Sequence, residues 1–98
     1  MATDKFTVIR DTREKNGWYF KETEYCQGML EQKLDTGDYS IVGLEDILCI
    51  ERKGCASELA NNIVDKRFDR ELERMASFKY KFLILEFSID DILSFPVG

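Results

Sequence analysis

Residues 37–53 read GDYSIVGLEDILCIERK, and this stretch decides the fold class. Gly37 closes a turn, Asp38–Val42 is a short strand-prone run, and Gly43-Leu44-Glu45-Asp46 turns the chain into Ile47-Leu48-Cys49-Ile50-Glu51-Arg52-Lys53. The second run is apolar and rich in β-branched residues before it becomes charged, as a buried strand does on reaching a site. Strand side chains alternate faces, so Glu51 and Lys53 project to one side and Arg52 to the other. Two carboxylates, Glu51 and an Asp38 delivered from a neighbouring strand, can hold a hard divalent cation while Lys53 orients or activates a water against a phosphodiester. A bare Glu-x-Lys is more often a surface ion pair worth roughly a few tenths of a kcal/mol. The surrounding pattern is what carries the chemical reading.

Working outward, Lys5–Asp11 (KFTVIRD) alternates as a first strand that ends in an acid. Asp11 and Arg13 share a face if the chain stays extended; Arg13 then either meets a phosphate or neutralises Asp11 or Glu14. Asn16-Gly17 is a turn signal, and Trp18, Tyr19, Phe20 and Tyr25 follow it. Such aromatics either stack on unpaired bases or, more often, fold back to cap a small core. Met29–Leu34 reads as a strand and Asp35-Thr36-Gly37 as a turn, so the middle of the chain is expected to be a meander of three short strands. Beyond Lys53 the period becomes helical. Ser57 is the expected N-cap of a helix bearing Leu59, Ala60, Ile63 and Val64. A second helix over 65–78 places Phe68, Leu72, Met75 and Ala76 on one face, with Arg67 and Arg70 on a charged face that is either solvated or follows a DNA backbone. Phe82–Phe87 is apolar almost throughout, as expected for a strand buried on both faces. Ile89–Phe95 is a further apolar segment before Pro96-Val97-Gly98, an ending that points to a domain trimmed or cut from a longer protein.

Ninety-eight residues suit one domain, spanning 1–98. No apolar run is long enough to span a membrane, and Met1-Ala2-Thr3-Asp4-Lys5 lacks a signal-peptide pattern. Three cysteines, Cys26, Cys49 and Cys55, without a CxxC pair are expected to be reduced thiols in a cytoplasmic protein, or a nuclear one in a eukaryote. With no histidine and no cysteine pair spaced for zinc, any metal should be bound by oxygen. The net charge of −5 argues against DNA binding by bulk electrostatics. Basic surface from a partner, a dimer mate or further chain would have to supply tight binding.

Four blocks together resemble the XPF/Mus-type nuclease family, a branch of the PD-(D/E)xK superfamily. They are Val8-Ile9-Arg10-Asp11-Thr12-Arg13-Glu14, like a first strand ending in D-x-R-E; Gly37-Asp38 with Glu51-Arg52-Lys53, like GD, a spacer and ERK; Lys66-Arg67-Phe68-Asp69-Arg70-Glu71, like the helix that follows; and Phe82–Phe87, like a late core strand. The resemblance implies an α/β domain, a central mixed sheet flanked by helices in a restriction-endonuclease-like nuclease fold. It implies a DNA endonuclease using Mg²⁺ or Mn²⁺ on branched, flap or fork DNA, with the compact phage and bacterial single-domain forms the nearest in look. Asp11, Asp38, Glu51 and Lys53 would be catalytic. Asp38 and Glu51 would be direct ligands, helped by the Arg52 carbonyl, and Asp11 a further ligand or a holder of coordinated water. Arg13, Arg52 and Arg67 would contact phosphate or brace the carboxylates, bracing suiting Arg52 better because it faces away from Glu51. A homodimer or heterodimer through this domain is implied, for which Ile89–Phe95 and the 65–78 helix are the expected surface. The rival is a non-catalytic scaffold subunit of a nuclease dimer; such subunits lose the acids that this chain keeps. The chain departs from the family where a final acid is due after three residues intervening beyond Lys53. That position is Ser57, and Glu58 follows it. Ser57 as cap and Glu58 as first-turn acid is the preferred reading; Glu58 replacing the missing acid is the alternative.

Overall fold

The computed structural model describes residues 4–94. Met1–Thr3, Phe95 and the Pro96-Val97-Gly98 end lie outside the described residues. Five strands and three helices follow in the order β1 (Phe6–Arg10), β2 (Cys26–Glu31), β3 (Tyr39–Ile41), β4 (Leu48–Lys53), α1 (Ala56–Val64), α2 (Arg67–Met75), β5 (Tyr80–Leu85) and α3 (Ile89–Leu93). They form one mixed sheet with the strand order β2-β1-β3-β4-β5. The fold is α/β, as expected.

The expected meander is corrected. β2 does not pair with β3 but lies parallel to β1 at the far edge, and β3 sits antiparallel between β1 and β4. The long connection after β1 explains the difference. Trp18 and Phe20 pack against Tyr39 on one face of the sheet, and that crossover lets β2 run parallel to β1. The aromatic cluster therefore divides: Trp18 and Phe20 cap the core, while Tyr19 and Tyr25 are exposed.

The opposite face carries the helices. Ile9, Cys49, Leu59, Ala60 and Met75 are buried, and the buried Lys53 reaches Asn62 of α1 and Glu71 of α2. The helices are shorter than expected: Lys66, at φ 67°, breaks the chain between them, so α2 starts at Arg67. On α2 only Met75 of the expected apolar face is buried; Phe68 is half-buried and Leu72 and Ala76 are exposed.

β5 is also corrected. It is an edge strand whose Phe82 is 53% and Leu85 40% exposed, because among the described residues no element covers its outer side. Continuous apolarity marked a strand with unmet surface, not one already buried.

Candidate active site

Topology gathers the acids. β1 and β4 are both antiparallel to β3, so their C-terminal ends share one edge of the sheet with the N-terminal end of β3. Asp11 follows β1, Asp38 precedes β3, and Glu51 and Lys53 close β4. Backbone bonds fasten this edge: the Asp11 amide donates to the Asp38 carbonyl, and the Asp38 amide to the Ile50 carbonyl, both at 2.8 Å. Gly37 makes the approach possible. Its φ is 86°, and a Cβ there would stand 3.1 Å from the Ile50 carbonyl oxygen.

The Tyr39–Ile50 pairing brings Asp38, the residue before β3, near enough to Glu51 for the two carboxylates to repel. Burial pushes the Asp38 carboxyl up to about 6; the Arg52 amide, donating to Oδ2 at 2.8 Å, only partly offsets this. Burial, with repulsion from Asp38 and Glu71, pushes Glu51 up to about 7 despite the adjacent Lys53. Two carboxyls raised in this way sit where a bound cation would lower both. The Arg52 amide faces β3, and in a strand the carbonyl of the same residue points to the same side. The Arg52 carbonyl thus joins the Asp38 edge, an all-oxygen donor set suited to Mg²⁺ or Mn²⁺.

Lys53 is 1% exposed. Its Nζ donates to Asn62 Oδ1 at 2.7 Å and Glu71 Oε1 at 2.8 Å, and lies 3.2 Å from Glu51 Oε2. Burial works against its charge, but Glu71 and Glu51 outweigh that and hold the ammonium's pKa above its ordinary value.

Asp11 borders the same cleft with its carboxylate already engaged. It accepts from Arg13 Nε at 2.8 Å, from Arg13 Nη2 at 3.2 Å and from the Leu34 amide at 2.7 Å. Its burial is outweighed by these donors, which hold its carboxyl below the usual range. Arg13 neutralises Asp11, as one of its two readings anticipated. Among the described residues no three acid or thiol side chains converge as a ready metal cage; Asp38 and Glu51 are the pair.

Arg52 points to the other face. Its guanidinium pairs with Glu14 and Glu86 and lies 5.5 Å from the Trp18 ring centroid, while Trp18 Nε1 donates to Glu86 at 3.0 Å. The guanidinium thus ties β4 to Glu14 and Glu86 and touches neither Asp38 nor Glu51; only the Arg52 backbone amide reaches Asp38. Arg67 lines the cleft, about 550 Å³ in volume, together with Arg13, Asp35, Glu71 and Arg74.

Four supporting residues escaped the sequence reading of the site: Asn62, Glu71, Glu14 and Glu86. Glu71 lies one helical turn after Arg67 on the same face. Glu86 ends an apolar run in the way Glu51 does. Asn62 looked only like a weak helix former.

The cap at α1 is corrected as well. The N-cap is Cys55, with its thiol 3.1 Å from Ser57 Oγ, and Ser57 makes no cap bond. The Glu58 carboxylate turns back to accept from the amide of Gly54, the residue before the N-cap, at 2.9 Å. It is expected that Glu58→Gln costs about 0.5–1 kcal/mol and leaves any metal response intact; a melt with and without Mn²⁺ checks both.

No curated protein sequence matches the chain. The solved structure of XPF from Aeropyrum pernix is similar, with a TM-score of 0.59 and 23% identity over 81% of this chain. The chain spans 36% of that protein, and the likeness concerns the fold. The sequence model of the ERCC4 domain matches residues 10–95, and the chain belongs to this ERCC4-domain family of XPF-type nuclease domains.

Proposed function

We propose that this domain is a metal-dependent DNA endonuclease acting on branched, flap or fork DNA. The observation that carries the reading is the Asp38–Glu51 pair, raised toward neutrality beside the buried Lys53 in a cleft flanked by arginines. Asp38, Glu51 and the Arg52 carbonyl would hold Mg²⁺ or Mn²⁺, which when bound supplies Lewis-acid stabilisation of charge on phosphate oxygens. Lys53 keeps Glu51 oriented. Its contact to Glu51, the longest of its three, is the one that gives way to the attacking water or a phosphate oxygen. Asp11 acts through Arg13, holding that guanidinium at the cleft where it can meet phosphate.

Cleavage of labelled forks, flaps and plain duplexes with Mn²⁺ tests the reading, run beside a melt. Wild type should cut a branched substrate preferentially, and Mn²⁺ should raise its Tm by the stabilisation that a ligand of the folded state confers. Asp38→Asn should lose both. A Tm rise of equal size in wild type and mutant would place the cation elsewhere, and a non-catalytic scaffold would show neither cleavage nor metal response.

The partner surface follows from exposure. α3 packs against α1, and Ile89 and Leu93 on the one and Ile63 and Val64 on the other are all more than half exposed. A homodimer through α1 and α3 would cover them. Light scattering at high micromolar concentration should show a dimer; a monomer there rules this surface out for residues 1–98.

A further inference from the structure

Arg74 has no role in the site as described. It lies in the last turn of α2 and lines the cleft. Among the described residues its guanidinium forms no ion pair, although the cleft wall holds Asp11, Asp35, Asp38, Glu51 and Glu71. Arg67, two turns earlier, is held only by a 3.6 Å contact to Asp65 and is largely exposed. Seven residues along a helix return to the same face about 10.5 Å further on. Glu71 stands between the two arginines and points inward to Lys53. Arg70 does not line the cleft, so the basic residues that matter are Arg67 and Arg74, not the Arg67 and Arg70 pair that the sequence suggests.

This spacing suits an extended chain of phosphates better than a single anion. Each guanidinium can fork onto one phosphate, and two placed along a helix axis reach two positions on a strand that runs beside it. A protein of net charge −5 gains little from its overall field, so local pairing has to position the substrate. Resting on the nuclease reading of the cleft, we infer that Arg67 and Arg74 form a phosphate rail along α2. The rail lays a DNA strand lengthwise over Asp38 and Glu51 and recognises phosphates flanking the scissile one. The substrate is then a polyanionic strand, and a lone phosphodiester lacks what the rail grips.

The test compares Arg74→Ala, the Arg67→Ala/Arg74→Ala double variant and Lys21→Ala, an exposed basic control in the β1–β2 crossover that does not line the cleft. Affinity for labelled flap DNA is read by fluorescence anisotropy across a salt series, with Ca²⁺ as the cation. The slope of log affinity against log salt should fall by about 0.9 for Arg74→Ala and by about twice that for the double variant. Lys21→Ala should leave it unchanged, and Arg74→Lys should restore most of it. With Mn²⁺, KM for flap DNA should rise more than kcat falls in Arg74→Ala, whereas Lys21→Ala should leave both unchanged. An unaltered slope in the double variant, or an equal loss in Lys21→Ala, overturns the rail. Wild type that binds with the expected slopes and cuts nothing overturns the nuclease reading and leaves the rail standing. Wild type that does not bind DNA overturns both.

Discussion

Lys53→Met is expected to abolish cleavage and to cost the metal-free fold on the order of 3–5 kcal/mol at pH 8, the usual result of removing one partner from a buried ion pair. The side chain is almost wholly buried and its three neighbours have little else to bond. Methionine fills the space but leaves Asn62 Oδ1 unpartnered and sets Glu51 against Glu71 with no cation between them. Two remedies exist: protonation or a bound cation. The loss should therefore shrink at pH 5.5 and shrink again with Mn²⁺ at pH 8. Lys53→Arg is not a mild control, since a planar fork cannot reproduce three contacts radiating from one nitrogen. Urea melts in EDTA and in Mn²⁺, beside a cleavage assay, measure all of this. Wild-type cutting by Lys53→Met would remove the reaction from this cleft. A stability loss under about 1 kcal/mol, the worth of an ordinary exposed pair, would show that the buried network does not hold β4 to the helices.

The same residue marks what the sequence could disclose. Glu51-Arg52-Lys53 was legible because strand alternation is a short-range rule, and the faces assigned to these side chains are those observed. Asp38 was legible as the partner of Glu51 because one turn and a strand-length spacer leave an antiparallel pairing few registers. The position of β2 was not legible: Met29–Leu34 carries no mark of which strand it will join, and the crossover through Trp18 and Phe20 decides it. Nor was the edge position of β5, since an apolar run reports what a strand needs and not what it obtains. Around the site, Glu14 and Glu86 come together on Arg52 from segments 38 and 34 residues away from it. Glu71 reaches Lys53 across 18 residues. Such contacts belong to tertiary structure. At Ser57 the cap rule favoured a serine, two places from the observed cap, which is Cys55.

Glu51→Gln should stabilise the metal-free protein at pH 8 while removing its response to metal. Asp38 and Glu51 have folded pKa values of about 6 and about 7, raised from 3.8 and 4.5. A carboxyl raised on folding contributes stability that is complete below its unfolded pKa and lost as pH climbs through the folded value. Metal-free wild type should accordingly weaken between about pH 4.5 and 7.5. Of the other shifted groups near the site, Asp11 and Lys53 do not oppose this. Asp11, held below its normal range, gives up its contribution only at lower pH, and Lys53, held above its own, only at higher pH. At about 1.4 kcal/mol for each pKa step, the Glu51 displacement corresponds to on the order of 3 kcal/mol at pH 8. Glutamine avoids that cost and can still accept from Lys53, which keeps Glu71 as its anion. The cation reverses the slope in wild type, because it binds the ionised pair and gains affinity as the protons leave. Melts at pH 5 and pH 8, in EDTA and in Mn²⁺, give four values for each protein. Wild type should fall with pH in EDTA and rise with pH in Mn²⁺, whereas Glu51→Gln should be flatter in EDTA and indifferent to Mn²⁺. Wild type that gains stability from pH 5 to pH 8 in EDTA, or a Glu51→Gln variant that still responds fully to Mn²⁺, would show that these carboxyls are not held together in wait for a cation.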